Sequence, residues 1–169
     1  NGLTMRTLAA AGLALTAISG SLFTGPAAAH ADIQALSPFD VTNPAVGNLE
    51  PALLAAVQQA AGAAAADGVT MTITSGWRSP EFQQQLLDDA VATYGSFAAA
   101  RQFVQTPEHS RHVTGRAVDI GDLAADYWLI ANGSRFGLCQ TYANELWHFE
   151  LATEPGGVCP PPLPDASWS

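Results

Sequence analysis

Two spacings of apolar residues run through this chain and mark where it coils and where it extends. Between 51 and 66, Leu53, Leu54, Val57, Ala60, Ala61 and Ala64 share one stripe while Gln58 and Gln59 lie off it. An amphipathic helix is therefore predicted, opened by Pro51 and stopped by Asp67-Gly68. From 69 to 75, Val69, Met71 and Ile73 alternate with Thr70, Thr72 and Thr74, the period of a half-buried strand. Gly76 turns the chain. Ser79-Pro80-Glu81 then starts a helix, with serine as cap, proline at the first helical position and an acid in the first turn. Phe82, Leu86, Ala90 and Val91 form its expected buried face, and a second helix over 96–105 is expected to turn Phe97, Ala100, Phe103 and Val104 inward. A polar loop over 106–115 leads to a short strand at 117–120, ended by Gly121, and then to a helix over 123–131. Two strands follow, 136–142 and 146–151, joined by a tight turn at Ala143-Asn144. Helices and strands intersperse without a regular βαβ rhythm or an internal repeat. The prediction is one small α+β domain with a central antiparallel sheet flanked by helices.

The ends of the chain read differently from its middle. Residues 1–31 have the build of an export signal: Met5-Arg6 starts it, 8–23 is an apolar run, and Ala29-His30-Ala31 is a small-x-small cleavage site before Asp32. The rival, an uncleaved membrane anchor, is weakened by Gly12, Ser19, Gly20 and Gly25, which leave the run short of the ~20 residues a span needs. No stable membrane insertion is expected after cleavage. Residues 32–48, with Pro38, Pro44 and Gly47, read as an extended lead-in, 49–153 as the folded domain, and 154–169, with five prolines, as a tail that is neither helix nor inner strand. Cys139 and Cys159 are the two cysteines. An even count in an exported chain predicts one disulfide tying the tail to the body, and no second pair lies nearby to make them zinc ligands.

Charge narrows the partners. A net charge of -9, with six basic residues that are all arginine, removes the basic footprint that nucleic acid or an anionic membrane surface requires. A monomer is expected. The candidate chemistry lies in His112, Asp119 and His148, two imidazoles and one carboxylate. Three protein ligands leave a tetrahedral zinc one open position, which separates a catalytic site from a closed structural one. Zinc suits this ligand set, although ligand type alone also admits manganese or iron. Gly115 permits the loop to fold His112 and Asp119 onto one ion.

Glu145 and His148 stand three apart, and in one regular strand they would point to opposite faces. Glu145 is therefore placed on the irregular approach and His148 on the strand proper, so that the carboxylate reaches the metal-activated water as general base. Glu150 shares a strand face with His148 and is the alternative base or a partner of the histidine. Trp147 and Phe149 are expected on the core side.

Three blocks, Thr74-Ser75-Gly76-Trp77-Arg78-Ser79, Ser110-x-His112-x-x-Gly115-x-Ala117-x-Asp119 and Glu145-x-Trp147-His148, resemble in order and spacing those of the zinc D-alanyl-D-alanine carboxypeptidases. That family includes the vancomycin-resistance peptidases and is related in fold to the hedgehog N-terminal domain; the resemblance covers about 49–151. It implies the hedgehog/D-Ala-D-Ala peptidase fold, one zinc on His112, Asp119 and His148, and Glu145 as base. It also implies Arg78 as the group that polarises the scissile carbonyl, a role that suits a fixed guanidinium at a strand-to-helix turn. Ser110 matches a family residue near the substrate's C-terminal carboxylate, with a loop-stabilising hydroxyl as the alternative. Glu108-His109-Ser110 departs from the proline-glycine-x-serine form common before the first ligand. His109, Arg111 and Arg116 are expected to be solvated.

The implied function is that of a secreted, extracellular or cell-wall-associated zinc peptidase cleaving peptidoglycan stem peptides, foremost a D-alanyl-D-alanine carboxypeptidase. The alternatives are an L,D-carboxypeptidase or endopeptidase of the same family, and a non-catalytic zinc-containing wall-binding module. Retention of Glu145 and Arg78 weighs against the last.

Overall fold

In the computed structural model, which describes residues 34–169, the chain runs through α1 (Pro44–Gly47), α2 (Pro51–Ala66), β1 (Thr72–Ser75), α3 (Pro80–Tyr94) and α4 (Phe97–Ala100). It continues through β2 (Ala117–Gly121), α5 (Leu123–Asn132), β3 (Leu138–Gln140) and β4 (His148–Leu151). The expected export signal lies outside the described residues. Among them the strands form one sheet in the order β1-β2-β4-β3, every neighbouring pair antiparallel.

Of the apolar stripe read from 51–66, α2 buries Leu53, Val57, Ala60, Ala61 and Ala64, with Ala56 added and Leu54 only partly buried; they pack in one cluster with Ile73, Val118, Ile120, Leu129 and Phe149. Each large side chain fully withdrawn from water there contributes roughly 1.5–3 kcal/mol. Alanine at four of α2's six buried positions keeps that helix surface flat, with little side-chain entropy to lose. α3 begins as predicted, with the Ser79 side chain accepting from the Phe82 N–H (3.1 Å) and Pro80 in the first turn.

Four expectations are corrected. The lead-in is extended only near Leu36, which pairs with Ile73 through bonds of 2.9 and 2.8 Å; Asn43 then caps the Ala45 N–H and Pro44 starts α1, which sends Val46 into the core. α3 turns Gln83 rather than Phe82 inward, because the buried Gln83 finds a partner at each end of its amide: it accepts from Arg78 (3.0 Å) and donates to the Gln105 carbonyl (2.8 Å). α4 stops at Ala100, leaving Phe97 half exposed; Phe103 stacks on Tyr94 at 4.7 Å instead of entering the core. The third strand is three residues long, preceded by a 3-10 turn over Gly133–Phe136. The link to β4 turns at Ala143-Asn144 but runs over 141–147.

The tail joins the body through a Cys139–Cys159 disulfide. It ends in a 3-10 turn, Ala166–Trp168, with Ala166 buried.

Candidate active site

Asp119 of β2 and His148 of β4 are direct cross-strand partners, so antiparallel pairing alone sets their side chains together on one sheet face. His112 reaches them from the loop before β2. Gly115 holds that loop with φ +73, and a Cβ there would stand 2.6 Å from the Asn48 carbonyl, so the turn needs glycine. His112 Nδ1 lies 2.8 Å from the Gly76 carbonyl, which can only accept. The proton is therefore on Nδ1, and Nε2 is free to ligate. On His148 the order is reversed: Nε2 donates to Glu150 (2.9 Å), and Nδ1 faces Asp119 Oδ1 at 3.2 Å.

His112 Nε2 stands 3.3 Å from the same Asp119 oxygen, and ligand atoms of all three residues lie within 4.8 Å of one another. A tetrahedral ion with bonds of about 2.0–2.1 Å has ligand-to-ligand edges of about 3.3 Å, so two of the edges already have a zinc site's length. Each histidine also carries the outer hydrogen bond that orients a ligating ring. The residues fit zinc.

Glu145 enters from the 141–147 link. Its N–H bonds to Tyr142 O (3.2 Å) and its carbonyl accepts from the His148 N–H (3.3 Å), two turns that throw it off the ladder just before the strand begins. Oε2 lies 3.7 Å from His148 Nδ1, while Oε1 is buried without a hydrogen-bond partner, the state of an acceptor aimed into the cavity. Arg78 follows β1, its guanidinium fixed by Ser75 (2.8 Å), Gln83 (3.0 Å) and Asp119 Oδ2 (2.9 Å). It thus orients a ligand as well as facing the cleft, a contact that joins residues 41 apart in the chain. Ser110 is buried and lines the same cavity, of about 110 Å³. Trp147 lines it too, instead of packing into the core as expected, whereas Phe149 is fully buried there. Tyr142, not singled out from sequence, tilts its ring over His148 at 4.7 Å. His109, Arg111 and Arg116 are exposed.

The cluster demands positive charge. Burial alone would raise Asp119, yet His112, His148 and Arg78 around it hold its carboxyl well below the usual range. Burial disfavours a charged His148, but hydrogen bonds to Asp119 and Glu150 outweigh that and lift it to about 10. His112 is lowered by burial and by Arg78. A divalent ion held by these three ligands would take the place of the proton that His148 holds, so its uptake would release a proton and weaken as pH falls.

The VanY family model, described as D-alanyl-D-alanine carboxypeptidase, matches residues 47–155 and so takes in all three blocks and every ligand. The chain belongs to the VanY family. A D-alanyl-D-alanine carboxypeptidase of Enterococcus faecalis (strain ATCC 700802 / V583) is 35% identical over 115 residues, covering 52% of this chain and 42% of that protein. The chain thus spans about two fifths of that curated relative's length. Among solved structures, the vancomycin-resistance D,D-pentapeptidase VanY in complex with Zn(II) is similar at a TM-score of 0.57 and 31% identity, covering 60% of this chain and 71% of that one. VanYB in complex with D-alanine-D-alanine gives 0.57 and 30%, over 60% and 70%. The L,D-carboxypeptidase DacB from Streptococcus pneumonia gives 0.51 and 27%, over 69% and 70%.

Proposed function

We propose that this VanY-family chain is an exported zinc peptidase that removes the terminal D-alanine from peptidoglycan stem peptides. The observation that carries the reading is the meeting of His112, Asp119 and His148 in one buried cluster, with an unpartnered oxygen of Glu145 beside it. VanY and VanYB, solved with Zn(II) and with D-alanine-D-alanine, support the metal and the substrate class. Bound on the three ligands, zinc supplies Lewis-acid polarisation of the scissile carbonyl and acidifies water at its open position.

The remaining chemistry belongs to the chain. Glu145 takes the proton of the attacking water and returns it to the leaving amine. Burial pushes its carboxyl up to about 7, with His148 and Arg78 opposing, so it can both accept and release a proton near neutrality. Arg78 is held on three sides, yet two of its five N–H donors have no bond among the described residues and are available to the developing oxyanion. Ser110, buried in the lining of the same cavity, is assigned to the substrate's carboxylate.

Export rests on residues 1–31 and on the disulfide, which persists in oxidising compartments. The second reading, an L,D-carboxypeptidase, has the likeness to DacB in its favour. Release of alanine from pentapeptide but not tetrapeptide stems separates the first from the second. The test of mechanism is Glu145→Gln: it keeps zinc and loses about 10²- to 10⁴-fold of kcat. Full hydrolysis by the metal-loaded variant would overturn the role of Glu145.

A further inference from the structure

The family match ends at residue 155, and the tail beyond it returns to the cleft. Its path is set by a tether and a stiff spacer. Cys159 is bonded to Cys139 of β3, and Pro160, Pro161, Pro162 and Pro164 follow, whose rings fix φ and keep the stretch extended. The spacer lands beside the link that carries Glu145. There the Leu163 N–H donates to Thr141 O (2.8 Å), and Leu163 O accepts from the Ala143 N–H (2.8 Å). Three residues on, the Ala166 carbonyl accepts from Gln105 (3.0 Å), and the Ala166 N–H donates to Gln102 O (3.3 Å). Gln102 O also accepts from Asn144 (2.9 Å), the neighbour of Glu145.

We infer that the tail is a strap that positions Glu145, with Leu163 and Ala166 as positioning residues. The inference rests on the reading of Glu145 as general base. Glu145 sits outside the ladder; its own segment supplies two turn bonds, and the two bonds to Leu163 brace that segment from outside the matched domain. The alignment of a base is sensitive to displacements on the order of 1 Å, which can cost about 10²-fold in rate. The tail holds no metal ligand, so zinc binding does not depend on it. Ala166 lines the cavity, so the strap is also one wall of the cleft.

The test compares wild type, Leu163→Pro and Leu163→Ala in the full chain. Proline removes the N–H that reaches Thr141, while alanine keeps it and only shortens a side chain that is 37% exposed. All three are expected to bind one zinc. Leu163→Pro lowers kcat on a pentapeptide stem about 10- to 100-fold with KM within about threefold, and the Ala143 amide exchanges faster. Leu163→Ala matches wild type in both readouts. Wild-type kcat in Leu163→Pro, or an equal loss in both variants, overturns the strap. Should Leu163→Pro fail to fold, the double variant Cys139→Ala, Cys159→Ala cuts only the tether. It is expected to lower kcat and Ala143 protection in the same sense, and unchanged values overturn the inference. A wild-type chain that cleaves no stem peptide refutes the hydrolase reading instead, and exchange at Ala143 still judges the strap.

Discussion

Val118 and Phe149 face each other across β2 and β4, and one residue on in β2 and one back in β4 so do Asp119 and His148. The first pair closes the apolar core under α2; the second holds the ligands. Burial does not distinguish them, since all four are buried. They differ in what each face gives its side chains. The core face offers only apolar neighbours, whereas the site face gives each metal-binding side chain a partner of opposite charge or hydrogen-bonding sense: Arg78 for Asp119 Oδ2, Glu150 for His148 Nε2, Gly76 O for His112 Nδ1. Alternation with period two lets one pair of strands serve as floor for the core and scaffold for a metal centre.

Breaking one face at a time should separate stability from chemistry. The largest effect is expected from Asp119→Asn, which removes the carboxylate shared by both histidines: zinc content by elemental analysis falls below detection. Phe149→Ala, one strand residue from His148, acts on the other face and costs about 3–5 kcal/mol in denaturant unfolding. Those of its molecules that remain folded still bind zinc.

The same two faces explain what could be read from sequence. The ligands were legible as two imidazoles and a carboxylate within blocks that resemble those of the zinc D-alanyl-D-alanine carboxypeptidases, with Gly115 permitting the turn that brings in His112. Glu145 was legible as the base through the same resemblance, and its spacing from His148, which a regular strand cannot accommodate, placed it off the ladder. Gln83 was not legible: its partners, Arg78 and the Gln105 carbonyl, are in contact only in the fold, and Phe82 is the better apolar candidate beside it. The landing of the tail escaped for a related reason. Leu163 docks through its backbone, and backbone hydrogen bonds leave no mark on side-chain pattern.

Two smaller effects sharpen the contrast. Glu150→Gln weakens the orienting bond on His148 without touching a ligand, and zinc affinity by competition titration is expected to fall about 10- to 100-fold. Asp126, buried on α5 with Oδ1 unpartnered, probes the cost of a charge that lacks what the site provides. Burial, with Asp122 and Asp119 adding, lifts it from 3.8 to about 7. The folded chain therefore keeps a proton there that the unfolded chain has released, so stability falls as pH rises from about 4 to about 7. Asp126→Asn cannot ionise and flattens that limb in thermal melts across the range.

X-ray absorption at the zinc edge, on chain loaded with one equivalent of metal, tests the shared ion most directly. A nitrogen and oxygen shell at about 2.0–2.1 Å, with the multiple scattering of two imidazoles, is the expected result. Sulfur scattering at about 2.3 Å, or a spectrum without imidazole, would contradict the site built on His112, Asp119 and His148.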